Sequence, residues 1–137
     1  MGCSFSKYVE NLSEFNLLYE IDKKNSHLFN TIQLKPDVIV DFSTPTSTFR
    51  ALNYAVENLV PIVIATTGFS EEEEIKVSEY AEAIPIFKSS NMSYGIKIFS
   101  DVAAYLAHNL PEMDIEIIEK HHKNKKDAPS RNCTYDC

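Results

Sequence analysis

The sequence predicts an α/β protein with a mostly parallel sheet. Three short, nearly continuous apolar segments occupy residues 37–42, 61–65 and 84–87. Segments of this kind are typical of strands that are buried on both faces, as in parallel sheets. Stretches with helical spacing of their apolar residues separate these segments, and such alternation of strands with helices indicates an α/β fold.

Each element has its own signal along the chain. A short helix is predicted to end within residues 8–12, and residues 15–21 are predicted to form a strand that ends at Asp22. After the strand at 37–42, a hydroxyl-rich turn with a proline at 43–47 begins the next helix. The later elements are an acidic helix over 71–83, an amphipathic helix over 94–108 and a last strand over 114–119.

Polar loops follow the predicted strands. Right-handed crossovers bring the carboxyl ends of parallel strands to one edge of a sheet, where the ligands of open α/β sheets bind. The loops expected at this edge begin at Asp22, Ser43, Thr66 and Ser89. The sequence therefore predicts a ligand site there.

Composition argues against several classes of function. The net charge of the 137-residue chain is −7, which disfavours a surface for nucleic acid or for an anionic membrane. No apolar run reaches the roughly 18–20 residues of a membrane span, and no leader peptide is evident, so a cytoplasmic location is expected. The sparse cysteines suit reduced thiols, and no metal site is expected; they are Cys3, Cys133 and Cys137.

Three loops each have a functional and a purely structural interpretation. Thr66-Thr67-Gly68 offers hydroxyls and backbone amides to a flat ligand such as nicotinamide, or it is an ordinary strand–helix turn. Asp22-Lys23 holds an adenosine ribose and favours a 2′-phosphate, or it is a charged turn. Asn91 orients a ligand, or it caps the helix that follows.

A small basic cluster lies after the last predicted strand, in residues 121–126 of an otherwise acidic chain. His121 and His122 are followed by three lysines. The cluster would attract a dicarboxylate, and one imidazole would donate a proton, because the pKa of histidine lies near working pH. The alternative is a basic loop that faces solvent.

Four motifs stand in a family-like order and spacing. They are Asp41-Phe42-Ser43-x-Pro45, Ala65-Thr66-Thr67-Gly68-Phe69, Ser90-Asn91-x-Ser93-x-Gly95 and Glu119-x-His121-His122-x-x-Lys125-x-Asp127-Ala128-Pro129-Ser130. With these motifs the chain resembles the 4-hydroxy-tetrahydrodipicolinate reductase family, also called dihydrodipicolinate reductase. The resemblance implies reduction of a cyclic dicarboxylate imine by NADPH or NADH, a Rossmann-like nucleotide domain and a homotetramer.

The resemblance also implies roles for individual residues. His121 corresponds to the proton donor, Lys125 to the second catalytic group and His122 to a substrate contact. The residues implied to contact the cofactor are Gly2, Asp22, Lys23, Ala65, Thr66, Thr67, Ser89, Ser90, Asn91 and Met92.

The chain departs from the family pattern at both ends. Met1-Gly2 fits only the last two residues of the family's glycine-rich turn, so the Rossmann-like sheet is expected to lack its first strand. Residues 1–113 are expected to form the truncated nucleotide domain, residues 114–130 the start of the α+β substrate domain, and residues 131–137 a tail foreign to the family. These departures leave open an inactive remnant or an interaction module.

Overall fold

Among the residues that the structure describes, three parallel strands form the sheet that organises the first part of the molecule. The computed structural model describes residues 1–22, 24–116 and 118. The strands β1 (Ile39–Asp41), β2 (Ile62–Ile64) and β3 (Ile86–Lys88) lie in the order β1-β2-β3, and both pairs are parallel. β1 and β2 lie within apolar segments of the sequence, and β3 begins in the third segment and ends one residue beyond it, at Lys88, so the parallel sheet predicted from those segments is confirmed.

The register of the sheet aligns the carboxyl ends of its strands. Asp41 lies opposite Ile64, and Ile64 lies opposite Lys88 on its other side. The ladder continues one residue further, because the amide of Ala65 donates to the carbonyl of Asp41 (2.9 Å) and the amide of Ser89 donates to that of Ile64 (3.2 Å). The loops after all three strands therefore leave the sheet side by side.

In the described part of the chain, four α-helices accompany the strands. They are α1 (Gly2–Val9), α2 (Pro45–Asn58), α3 (Glu71–Tyr80) and α4 (Tyr94–Asn109), and a short 3-10 helix occupies Ser26–Thr31. A proline in the first turn begins α2, and Leu59 in the left-handed conformation ends it (φ 53°). A capping box formed by Ser70 and Glu73 begins α3, and the first turn of this helix is acidic. The acidic helix predicted over 71–83 is thus confirmed, although it ends at Tyr80.

The apolar core lies on the face of the sheet that α2 covers. Leu52 of α2 is 0% exposed and packs with Ile62 and Ile64, whose side chains share one face of β2 because they are two residues apart. The other buried members of this core are Ala51, Ala55, Phe69, Val77 and Ile84. On the opposite face, Phe87 is 61% exposed, so burial on both faces, which the apolar runs led us to expect, is not found along β3.

The segment over residues 15–21, which was predicted as a strand, has a different structure. Residues 15–21 have no regular secondary structure, because a strand needs a hydrogen-bonded neighbour and the described sheet contains only β1, β2 and β3. The phenol oxygen of Tyr19 instead accepts bonds from the amides of Gln33 (3.3 Å) and Leu34 (3.0 Å). Residues 114–116 and 118 are irregular as well, and residues 117 and 119 lie outside the described part of the chain.

A second compact unit begins at Asn91 and contains α4; the first unit is Met1–Ser90. The hydroxyl of Ser93 caps α4 by accepting the amide of Ile96 (3.3 Å), and Asn91 supports this cap by accepting the amide of Ser93 (2.8 Å). The helix predicted over 94–108 is thus confirmed. None of the helices in the described residues is both long and apolar enough to cross a membrane.

Truncation of the central core residue gives a first test of this packing. We expect Leu52→Ala to lower the free energy of unfolding by about 2–5 kcal/mol, because it removes buried methyl groups and leaves a cavity. Ile75→Ala is the matched control in α3, since Ile75 is 62% exposed. Denaturant unfolding measures both changes; equal losses for the two variants would contradict the packing described here.

Candidate functional site

The candidate site is built on the carboxyl edge of the sheet. Three segments meet there: the turn after β1, the turn between β2 and α3, and the end of β3. The side chain of Thr67 is exposed in the middle segment, and Ser90 is exposed after β3. Small, exposed polar residues that follow parallel strands leave room for a ligand to approach the backbone closely.

Gly68 shapes the turn between β2 and α3. Its φ is +88°, a conformation that residues with a side chain rarely adopt. A Cβ atom added at this position would meet no atom within 4 Å, so the glycine is required by the backbone angle rather than by crowding. The space around this Cβ position is therefore open.

A buried carboxylate lies directly behind this turn. Asp41 is 7% exposed and accepts hydrogen bonds from the hydroxyls of Thr48 (2.5 Å) and Thr66 (2.8 Å). Ser43 donates its amide (3.1 Å) and its hydroxyl (2.5 Å) to the other carboxylate oxygen. The carboxylate thus joins the turn after β1, helix α2 and the turn after β2.

Lys88 connects the end of β3 with α3 and with the turn between β2 and α3. Its ammonium group lies 2.7 Å from both carboxylate oxygens of Glu74 in α3, and 4.8 Å from the centre of the Phe69 ring. Phe69 is buried and packs edge-on against Phe49 of α2, with ring centres 6.2 Å apart. Charge and ring contacts therefore hold the end of β3 against the turn and α3.

Helix α1 lies beside the same edge. The ring of Phe5 is 5.4 Å from that of Phe42, which follows β1 directly. Gly2 is the first residue of α1, one turn before Phe5, so the amino end of α1 is close to the turn after β1. Adding a Cβ atom to Gly2 would meet nothing within 4 Å.

Asp22 is a further residue that the resemblance implies to contact the cofactor. Asp22 accepts bonds from the amides of Lys24 (2.7 Å) and Asn25 (3.1 Å), and Asn25 accepts the amide of Asp22. In the described part of the chain, the hydrogen bonds of Asp22 are thus local. Burial, and after it the electrostatic effect of Tyr19, raises the pKa of Tyr54 in α2 above its usual value.

Apart from Gly2 and Asp22, the predicted site residues fall into three groups. Ala65, Thr66, Thr67, Ser89 and Ser90 come together at the edge of the first unit, whereas Asn91 and Met92 begin the second unit. Lys23, His121, His122 and Lys125 lie outside the described residues.

Sequence reasoning assigned no role to two residues that the structure places at this edge. One is Asp41, for which the signal was an acidic residue at the end of an otherwise apolar strand. The other is Lys88, for which the signal was a lysine at the corresponding end of β3. A charged residue that ends a buried strand needs partners, because an unpaired buried charge is costly.

Substitution of Gly68 tests the shape of the turn. We expect Gly68→Ala to lower the free energy of unfolding by about 1–2 kcal/mol, because a side chain disfavours positive φ. Gly68→Asn is the control, since asparagine tolerates this region better and should cost less. Thermal or denaturant unfolding gives both values; an alanine variant as stable as the parent would rule out the positive φ.

Comparison with known proteins identifies relatives of the whole chain. The family described as "Dihydrodipicolinate reductase, N-terminus" matches residues 1–92, and "Dihydrodipicolinate reductase, C-terminus" matches residues 95–134. A 4-hydroxy-tetrahydrodipicolinate reductase of Clostridium novyi is 39% identical over 95% of this chain and 55% of its own length. One of Campylobacter jejuni is 40% identical over 88% of this chain and 48% of its own length.

A solved structure agrees with these sequence matches. It is the dipicolinate-bound dihydrodipicolinate reductase of Paenisporosarcina sp. TG-14, with a TM-score of 0.69 and 28% sequence identity. The match covers 96% of this chain and 57% of that protein, so the chain spans only part of its relatives' length. The matched sequences and the parallel sheet together show that this chain belongs to the dihydrodipicolinate reductase family.

Proposed function

We propose that the chain carries the nucleotide-binding edge and the histidine motif of a 4-hydroxy-tetrahydrodipicolinate reductase, and that its cofactor is NADPH or NADH. The observation that supports this most directly is the alignment of the strand ends, where Ala65 and Ser89 continue the ladder in adjacent strands. The open space at Gly68 and the exposed side chain of Thr67 fit a flat ring laid against the turn. When bound, the reduced nicotinamide supplies a hydride.

We assign the remaining chemistry to the histidine motif by its resemblance to the family. His121 donates a proton from its imidazole, so that hydride and proton together saturate one double bond of the cyclic substrate. Lys125, as the second catalytic group, holds the negative charge of that substrate beside the reacting ring, and His122 contacts the substrate, since cations and imidazole N–H groups are suitable donors to carboxylates. Positioning the ring close to the hydride donor would contribute several kcal/mol to lowering the barrier, roughly as in other oriented reactions.

The substrate class rests on the motif and on the relative from Paenisporosarcina, whose structure contains dipicolinate. Dipicolinate is a flat ring with two carboxylates, and the basic cluster at residues 121–126 suits such a dianion. Assembly as a tetramer and a domain division at residues 113–114 stay predictions from the resemblance.

Nucleotide titration tests the cofactor site of this chain. We expect saturable binding of NADPH or NADH by fluorescence or calorimetry, and Thr67→Glu should weaken it about tenfold or more, because a new carboxylate at the edge repels an anionic nucleotide. Ser78→Glu is the control, since it makes the same charge change at an exposed position of α3. Absence of saturable binding to the parent chain would contradict the proposal.

Dipicolinate titration tests the substrate site separately. With nucleotide at saturation, Lys125→Gln should weaken dipicolinate binding by about 10–100-fold, because a charge-assisted hydrogen bond contributes about 1.5–3 kcal/mol. Lys126→Gln is the matched control, one residue away with the same loss of charge. If both variants lost the same dipicolinate affinity, Lys125 would contribute only nonspecific electrostatic attraction, and its specific role would be contradicted.

A further inference from the structure

Several parts of the fold supply hydrogen-bond donors to the buried carboxylate of Asp41. Four donors from three residues converge on its two oxygens, and they come from the turn after β1, from α2 and from the turn after β2. Asp41 forms neither of the ion pairs in the described residues, which join Lys88 with Glu74 and Lys97 with Asp101. The hydrogen bonds from hydroxyl and amide donors therefore offset the free-energy cost of burying this carboxylate.

Thr66 is the donor that connects this carboxylate to the candidate cofactor site. Its side chain is 4% exposed, and its hydroxyl donates to Asp41 at 2.8 Å. The hydroxyl of Thr66 is thus committed to the protein interior, while the next side chain, Thr67, is exposed. The hydrogen bond fixes the direction in which the chain leaves β2 before it reaches Gly68.

We propose that Asp41 is a positioning residue for nucleotide binding, acting through the hydroxyl of Thr66 to hold residues 66–68 in place. The inference rests on the nucleotide site proposed above. It assigns Thr66 a role that differs from direct contact: the Thr66 side chain anchors the turn, and Thr67 and the backbone of Gly68 face the ligand.

Thr48 makes the test of this inference specific. Thr48 is fully buried and donates its hydroxyl to the same carboxylate oxygen as Thr66, at 2.5 Å, but it belongs to α2 rather than to the turn. Thr66→Val and Thr48→Val each remove one hydroxyl donor to that oxygen and keep the side-chain shape, so their effects on stability should be similar. Thr66→Ser keeps the hydroxyl and serves as the rescue variant.

Two measurements on the full chain test whether Asp41 positions the turn through Thr66. The first is the ¹⁵N relaxation order parameter of the Thr67 and Gly68 amides, which should fall from about 0.85 toward about 0.6 in Thr66→Val and stay high in Thr48→Val and Thr66→Ser. The second is the Kd for NADPH and NADH, which should rise about tenfold in Thr66→Val and stay within about twofold of the parent in the other two variants.

The outcomes separate this inference from the proposed function. Unchanged order parameters in Thr66→Val, or equal falls in both valine variants, would overturn the positioning role. A normal Kd for Thr66→Val in a parent chain that binds nucleotide would overturn it as well. If the parent chain binds no nucleotide, the proposed function fails, and the order parameters alone then decide whether Asp41 holds the turn.

Discussion

The carboxylate of Asp41 is the point through which the functional edge of the sheet is joined to the rest of the first unit. A charged group this deeply buried is tolerated only when hydrogen bonds compensate its lost hydration. Here the compensating donors come from consecutive structural elements, so the compensation also fixes how β1, α2 and the turn after β2 meet. The same interaction therefore stabilises the fold and determines where the turn lies.

A second set of contacts holds the other side of that turn. The ring of Phe69 contacts the ring of Phe49 and the ammonium group of Lys88. That ammonium group also forms an ion pair with the carboxylate of Glu74. The turn at residues 66–68 thus has a hydrogen-bonded anchor before it and an aromatic anchor after it. Only its middle, at Thr67 and Gly68, is left open to a ligand.

The sequence predicted the sheet and its helices well and predicted the irregular segments poorly. The apolar runs identified β1, β2 and β3 because a parallel strand depends on burial that is visible locally. Residues 15–21 have a similar pattern but form no strand, since strand formation depends on a neighbour that local pattern does not reveal. The residue motifs likewise identified the turn at Thr66, but not its link to Asp41, which lies 25 positions earlier in the chain.

The order of the sheet has a consequence for how the protein behaves at high concentration. Within the described residues, β1 and β3 each pair with β2 alone, so one row of backbone donors and acceptors on each outer strand has no neighbouring strand. Such rows favour the addition of a further strand from another molecule, which leads to self-association. The strands are only three residues long, so any such added ladder is short, and we expect self-association through these edges to be weak.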